Sequence, residues 1–464
     1  MKYKFLIFAF VFTALALLAA CATPTAVPTS APPTAAPTAV PPTAVPPTAV
    51  PPTAVPPTAE PTKPPEPTKA AKPDLTGKTI TLYHFGDLSG PLAAITAPLI
   101  HGAEDAIKDI NDAGGIYGAK LDVKFADTGG KVEEAVAAYD RFTGTDKNIP
   151  VIITYGSGDA EALAQRVTED KIPNLAAGLS AKAFYGEGSS YTFGVGPIYT
   201  DQFAYVMKYL KDNWAKVKPK GAGDEIKLAY ISWPTAFGQG ALSAETKKYM
   251  EDNGIKLVLE EKYNPVPTAD TTTAILNAQT AGANVIWTNT LAFGPAVILN
   301  DLKNLGLRDQ FVVAGDNWTM DLSLYAFLKD PANGVGLIAP FPYLWWTDAD
   351  NPGVQKAEKI FAANKRTKAE HNVGYLLLLA SVDLAREAIT RAIDEVGYEK
   401  LNGEAVYNQL VKLGKYDALD GVLRVDYSSG IRAPRQSQLR MIQGGPDKFV
   451  VIQDWTEMPD MRPK

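Results

Sequence analysis

Cysteine is almost missing from this chain. Cys21 stands alone, so no intramolecular disulfide can form and the fold has to be held by an ordinary apolar core. Histidine is nearly as scarce. His84, His101 and His371 are scattered, and none belongs to a His-Glu-x-x-His run. No Gly-x-x-x-x-Gly-Lys-Ser/Thr loop occurs, which removes ATP hydrolysis by a phosphate-binding loop. Gly156-Ser157-Gly158 lacks the spacing of a Gly-x-Ser-x-Gly nucleophile elbow. Charge of one sign is not dominant either; a formal net charge of −6 argues against nucleic acid as a partner. Past the amino-terminal segment no apolar run is long enough to span a bilayer, and residues 376–380 are bounded by Asp383 and Arg386. These absences point away from an enzyme, and no metal or cofactor is expected.

What is present begins at the amino terminus. Lys2 and Lys4 precede an apolar run over residues 5–18, followed by Leu18-Ala19-Ala20-Cys21. A basic start, a short apolar stretch and small residues before a cut site make a secretory signal. The run falls short of the ~20 residues that a spanning helix needs. A cysteine just after such a site resembles the bacterial lipobox, which implies that Cys21 is lipidated and becomes the mature terminus. It is then unavailable as a Cys–His nucleophile. Residues 1–21 are therefore read as a lipoprotein signal. Residues 22–73 are almost entirely Pro, Thr, Ala and Val, with Pro-Pro-Thr-Ala-Val starting at Pro41, Pro46 and Pro51. Such a segment has no large apolar face to bury and reads as an extended spacer. At ~3.1 Å per residue it could reach on the order of 150 Å from the membrane.

Folded sequence begins near Asp74. Strands are expected at 79–83, 121–125, 151–153 and 173–177, and helices at 97–111, 132–142 and 161–170. After a break near Gly194-Val195-Gly196-Pro197 the alternation restarts. Helices are expected at 203–214, 242–253, 272–280 and 295–305, and strands at 226–231, 255–260, 285–287 and 311–313. Two blocks of strand–helix alternation mean two α/β lobes, each a parallel sheet covered by helices on both faces. Ligands of such sheets bind beyond the carboxyl ends of the strands. Asp105, Lys108 and Asp109 read as a solvated helix face. Trp345 and Trp346 read as packing at a lobe crossover or as surface contact.

One turn carries chemistry on its own terms. Thr154-Tyr155-Gly156-Ser157-Gly158-Asp159 joins a buried strand to a helix, and its small residues expose amides and a hydroxyl at a helix amino terminus. That arrangement suits an anion such as a ligand carboxylate. The weaker alternative is a plain N-cap by Ser157 or Asp159.

Several motifs together resemble the leucine/isoleucine/valine-binding proteins. They are His84-Phe85-Gly86-Asp87-Leu88-Ser89-Gly90-Pro91-Leu92, Ile110-Asn111-Asp112-Ala113-Gly114-Gly115-Ile116-Tyr117-Gly118, residues 151–157, and Ala236-Phe237-Gly238-Gln239-Gly240. These families are extracytoplasmic receptors of ABC importers with the type I periplasmic-binding fold. The resemblance implies two doubly wound parallel-sheet lobes joined by a hinge. Lobe 1 takes 74–198, lobe 2 takes 199–338, 339–430 returns to lobe 1, and 431–464 lies mainly in lobe 2. It implies a ligand carboxylate at Ser157 and Gly158, further contacts from Ala177 and Ser180, and a rim at Leu88 and Ser89. Phe237 corresponds to an aromatic against the ligand, and Asp316 to an acid that takes its ammonium group. Two positions depart: Tyr199 stands where the family has a second acid, and Leu291 where it has a tyrosine. An α-amino group is then held less fully, which leaves a branched-chain or related amino acid, an amide or a small carboxylate such as an aromatic acid as ligand.

The expected protein is a monomeric solute receptor, lipid-anchored outside the cytoplasm, that serves ABC permease subunits. The alternative is a ligand sensor of the same fold that signals to a partner. The anchor is directly testable: Cys21→Ala should move the protein from the membrane to the soluble fraction, and continued tight membrane association would exclude lipidation.

Overall fold

The structure is a computed structural model, and it describes residues 72–463 apart from Pro91. The signal, Cys21 and nearly all of the Pro-rich segment lie outside the described residues. Among the described residues no helix is long and apolar enough to cross a membrane.

The first sheet grows from β1 (Thr79–Gly86), whose last five residues are all buried. In chain order α1 (Ala93–Asp112), β2 (Lys120–Asp127), α2 (Val132–Thr145), β3 (Ile152–Thr154), α3 (Ser157–Glu169), β4 (Asn174–Ala176), α4 (Ala181–Tyr185) and β5 (Thr192–Gly194) follow. The strand order is β2-β1-β3-β4-β5, and every pairing is parallel. β3, β4 and β5 are short and wholly buried, as expected of strands covered on both faces.

The second sheet repeats the plan. α5 (Tyr199–Val217), β6 (Ile226–Ser232), α6 (Ala236–Gln239), α7 (Ala244–Asp252), β7 (Ile255–Lys262), α8 (Thr272–Thr280), β8 (Val285–Thr288), α9 (Phe293–Asn304), β9 (Val312–Gly315), α10 (Leu324–Phe327) and β10 (Ile338–Phe341) lead to its fifth strand. The chain then returns to the first lobe through α11 (Pro352–Ala363), α12 (Val373–Val396), α13 (Gly403–Leu413) and the hairpin of β11 (Lys415–Ala418) with β12 (Leu423–Asp426). It ends in β13 (Gln436–Ile442) and β14 (Phe449–Glu457), giving the order β14-β13-β10-β9-β8-β6-β7.

Two expectations need correction. The second sheet is not wholly parallel: β13 runs antiparallel to β10 and to β14. A short turn joins β13 to β14, and neighbouring strands joined so tightly must reverse direction. The return to the first lobe leaves after Phe341, not at 339, because Ala339 and Pro340 still pair with β13. The expected helix at 242–253 is α7, which Ser243 caps by a capping box with Thr246, and the short α6 precedes it.

α12 packs along α1, and their backbones come close at Gly102. A Cβ there would stand 2.5 Å from the Tyr375 carbonyl oxygen. Beside this crossing, Arg366 donates through Nε and one terminal nitrogen to Asp105 at 2.7 Å each, and the Tyr375 hydroxyl donates to the same carboxylate at 2.7 Å. Asp105 is thus 3% exposed and internal, not part of a solvated face; Lys108 is the residue left outside. Trp345 is buried against Phe341 and Phe449, and Trp346 stacks on His371 at 3.8 Å, so both are core at the crossover. Removing one member of a buried ion pair leaves an uncompensated charge. Arg366→Met should therefore lower the unfolding free energy by about 3 kcal/mol in urea titrations. Adding Asp105→Asn should restore much of that loss.

Candidate functional site

In a 2-1-3-4-5 sheet the crossovers from the first and third strands leave toward opposite faces, and a crevice opens between their carboxyl ends. The first sheet has this switch between β1 and β3, and the second has it between β6 and β8. Both crevices open onto one cavity of about 400 Å³. Its lining follows the strand ends: Asp87 after β1, Thr128 and Gly130 after β2, Tyr155 after β3, Ala177 after β4, Trp233 after β6, Pro265 after β7, Leu291 after β8 and Trp318 after β9.

The first-lobe wall is built around the start of α3. This helix begins at Ser157, four residues before the expected 161, and Gly156 is its N-cap in an extended conformation. The helical ladder opens with the Ala160 amide bonded to the Gly156 carbonyl (2.9 Å), so the Ser157, Gly158 and Asp159 amides precede it. A Cβ at Gly178 would lie 2.5 Å from the Ser157 amide nitrogen; a glycine lets the loop after β4 pack against the helix start. Asp159 folds its carboxylate back over Gly156, where a Cβ would stand 2.7 Å from its Oδ2. It lines the cavity at 6% exposure, and burial pushes its carboxyl up to about 6. Asp87, at the end of β1, accepts the Gly90 (2.6 Å) and Leu92 (3.1 Å) amides and so fixes the loop into α1.

The second lobe supplies rings. Tyr199 opens α5, four residues before the expected helix start, and its hydroxyl lies 3.3 Å from the Ser157 hydroxyl across the cleft. Tyr155 and Trp318 meet edge to face from opposite lobes, with centroids 6.0 Å apart. Phe237 packs against Tyr199 at 5.2 Å and Trp233 at 5.9 Å. Thr235 caps the short α6 that carries Phe237, accepting the Gly238 amide at 3.0 Å.

Ser157, Gly158, Ala177, Tyr199 and Phe237 are thus brought onto one cavity, whereas Leu88, Ser89, Ser180 and Asp316 do not line it. Leu88 and Ser89 are exposed on a loop whose amides are held by Asp127 at 2.9 and 3.3 Å. The Ser180 hydroxyl turns away to donate to Glu161 at 2.6 Å. Asp316 is fully buried, and its Oδ1 accepts the Trp318 amide at 2.8 Å, a turn within its own loop. Its Oδ2 has no hydrogen-bond partner among the described residues, and burial drives its carboxyl well above the usual range. Trp318, two residues on, takes the cavity position expected of Asp316. Asp87, Thr128, Val132, Thr235 and Pro265 were missed as lining residues; a rule that selects residues just after parallel strands would have found most of them.

Two parallel-sheet lobes with a shared cavity at their strand ends define a class of two-lobed α/β binding folds. The comparisons narrow it. A family model for periplasmic binding proteins matches residues 79–445, and the chain belongs to that family. Leu/Ile/Val-binding protein homolog 1 of Brucella suis is 29% identical over 229 residues, covering 49% of this chain and 58% of that protein. Homolog 7 of the same organism is 24% identical over 243 residues, covering 52% and 59%. The chain therefore spans less than two thirds of the length of these curated relatives. A branched chain amino acid ABC transporter structure from Thermus thermophilus with bound valine shares the fold with a TM-score of 0.72 at 21% identity, over 83% of this chain and 97% of that one. A solute binding protein from R. palustris in complex with 4-hydroxybenzoate does so with 0.65 at 18% identity, over 83% and 98%.

The buried Asp316 has a pH signature. Its folded pKa lies above the usual 3.8, so the folded state holds a proton that the unfolded chain releases. The stability that this supplies is complete below the unfolded pKa and is lost as pH rises toward the folded one. Asp316→Asn should melt close to the parent near about pH 4 and increasingly above it toward about pH 8. A constant difference across that range would exclude the shift.

Proposed function

We propose that this chain is the solute-receptor component of an ABC importer, exported and held outside the cytoplasm by a lipid on Cys21. Its ligand is a small organic molecule with an apolar body: a branched-chain or related amino acid, an amide or a small carboxylate. The observation that carries this reading is the cavity of about 400 Å³ between the strand ends of the two sheets, walled by rings and edged by a few polar groups. A catalytic assignment has less support, because the wall holds no histidine or cysteine and the Ser157 hydroxyl is paired with the Tyr199 hydroxyl.

Ligand capture works by hinge bending. Tyr155, Ser157 and Ala177 belong to one lobe and Tyr199, Phe237 and Trp318 to the other, so a molecule touching both sets favours the closed form. Permease subunits then read closure from the outer faces of the lobes. Family membership and the relatives' names as binding proteins support this assignment. A thermal-shift screen of the mature protein against amino acids, amides and aromatic acids tests it. A ligand at a hundred times its Kd stabilises the native state by about 2.7 kcal/mol. The ligand should be recovered chemically unchanged, and its conversion to a product would replace the receptor reading with an enzyme.

A further inference from the structure

The cavity wall is charged on one side only. Asp87 and Asp159 both line it, and no lysine, arginine or histidine does. Asp159 stands on the third residue of α3, at the place where a ligand carboxylate would otherwise meet the helix amides. By folding back over Gly156 it adds a formal negative charge at the helix start. An incoming carboxylate would face both acids in a partly desolvated site, where like charges repel more strongly than in water.

The rest of the wall is largely aromatic: Tyr155 beside Asp159, and Tyr199, Trp233, Phe237 and Trp318 from the other lobe. Ring faces are electron-rich and attract cations. A carboxylate beside a set of rings, with no basic residue among them, is the environment a positively charged nitrogen requires. Two acids of the first lobe differ in how they are satisfied. Asp127 accepts the Leu88, Gly129 and Ser89 amides and is held down at about 2. Asp159 is buried in the cavity wall with no lysine, arginine or histidine lining the wall beside it.

We infer that the cavity selects a ligand carrying a positively charged nitrogen on an apolar body, an aliphatic or aromatic amine, and that Asp159 is the residue that selects it. This rests on the receptor reading above and departs from its ligand list: the cation is the required group, and a carboxylate is not. The site differs from the expected ammonium site at Asp316, which is closed off in its own turn.

Matched ligands separate the two charges. Phenethylamine, phenylalanine and hydrocinnamate share one skeleton; isoamylamine, leucine and isocaproate share another. Titration calorimetry of the mature protein at neutral pH should find the amine of each set binding at least about tenfold tighter than the matching acid. Asp159→Asn should weaken the amine by at least about tenfold and leave the acid unchanged or improved. Because Asp159 also supports the start of α3, Asp159→Glu serves as the charge-conserving control and should keep the amine preference. Acids binding tighter than amines would overturn the inference, as would amine affinity that does not move in Asp159→Asn. So would failure of every amine to bind. The receptor reading fails separately, only if no solute of any class is bound.

Discussion

Right-handed crossovers constrain everything about this site. Once β1 and β3 send their helices to opposite faces of the sheet, no element can cover the ends between them, and a crevice is unavoidable. The same holds between β6 and β8. The start of α3 lines the first crevice, and the short α6 with Phe237 edges the second. The cavity is therefore a consequence of chain topology, and the residues that line it are those that happen to follow strand ends. This leaves their identities free to set chemistry without altering the fold.

The connections between the lobes suit a hinge. The chain crosses between β5 and α5, between β10 and α11, and again between β12 and β13. Each lobe meanwhile has its own rigid support. In the first, α1 and α12 are locked by close backbone approach at Gly102 and by the Asp105–Arg366–Tyr375 cluster. In the second, β13 and β14 extend the sheet, and Trp345 and Phe449 pack beside Phe341. Motion is thus directed to the crossings, while the Ser157–Tyr199 and Tyr155–Trp318 contacts are the ones that opening would break.

Alternation of β-branched runs with helical periodicity made both lobes legible in the sequence. The starts of α3 and α5 were less so. Ser157, Gly158 and Tyr199 lie in first turns whose residues face the cavity, not a uniform apolar core, so helical periodicity begins only a turn later. Asp105 misled for the opposite reason. It shares a helix face pattern with Lys108, yet a partner more than two hundred residues away in sequence, Arg366, makes its burial possible. Asp316 and Trp318 exchanged roles because a two-residue turn decides which side chain faces the cavity, and composition is silent on that.

The sequence by itself determined the two α/β blocks, the strand-to-helix turn at 154–159 and the aromatic residues near the second crevice, because these depend on local propensity and short-range pattern. Only the tertiary structure decided which polar groups reach the ligand space. Side-chain direction at a strand end depends on what packs behind it: the Trp318 amide drew Asp316 inward, Glu161 drew Ser180 away, and Gly156 let Asp159 fold over the helix start. Those are long-range or steric outcomes, and they, more than the fold, set the charge that a ligand meets.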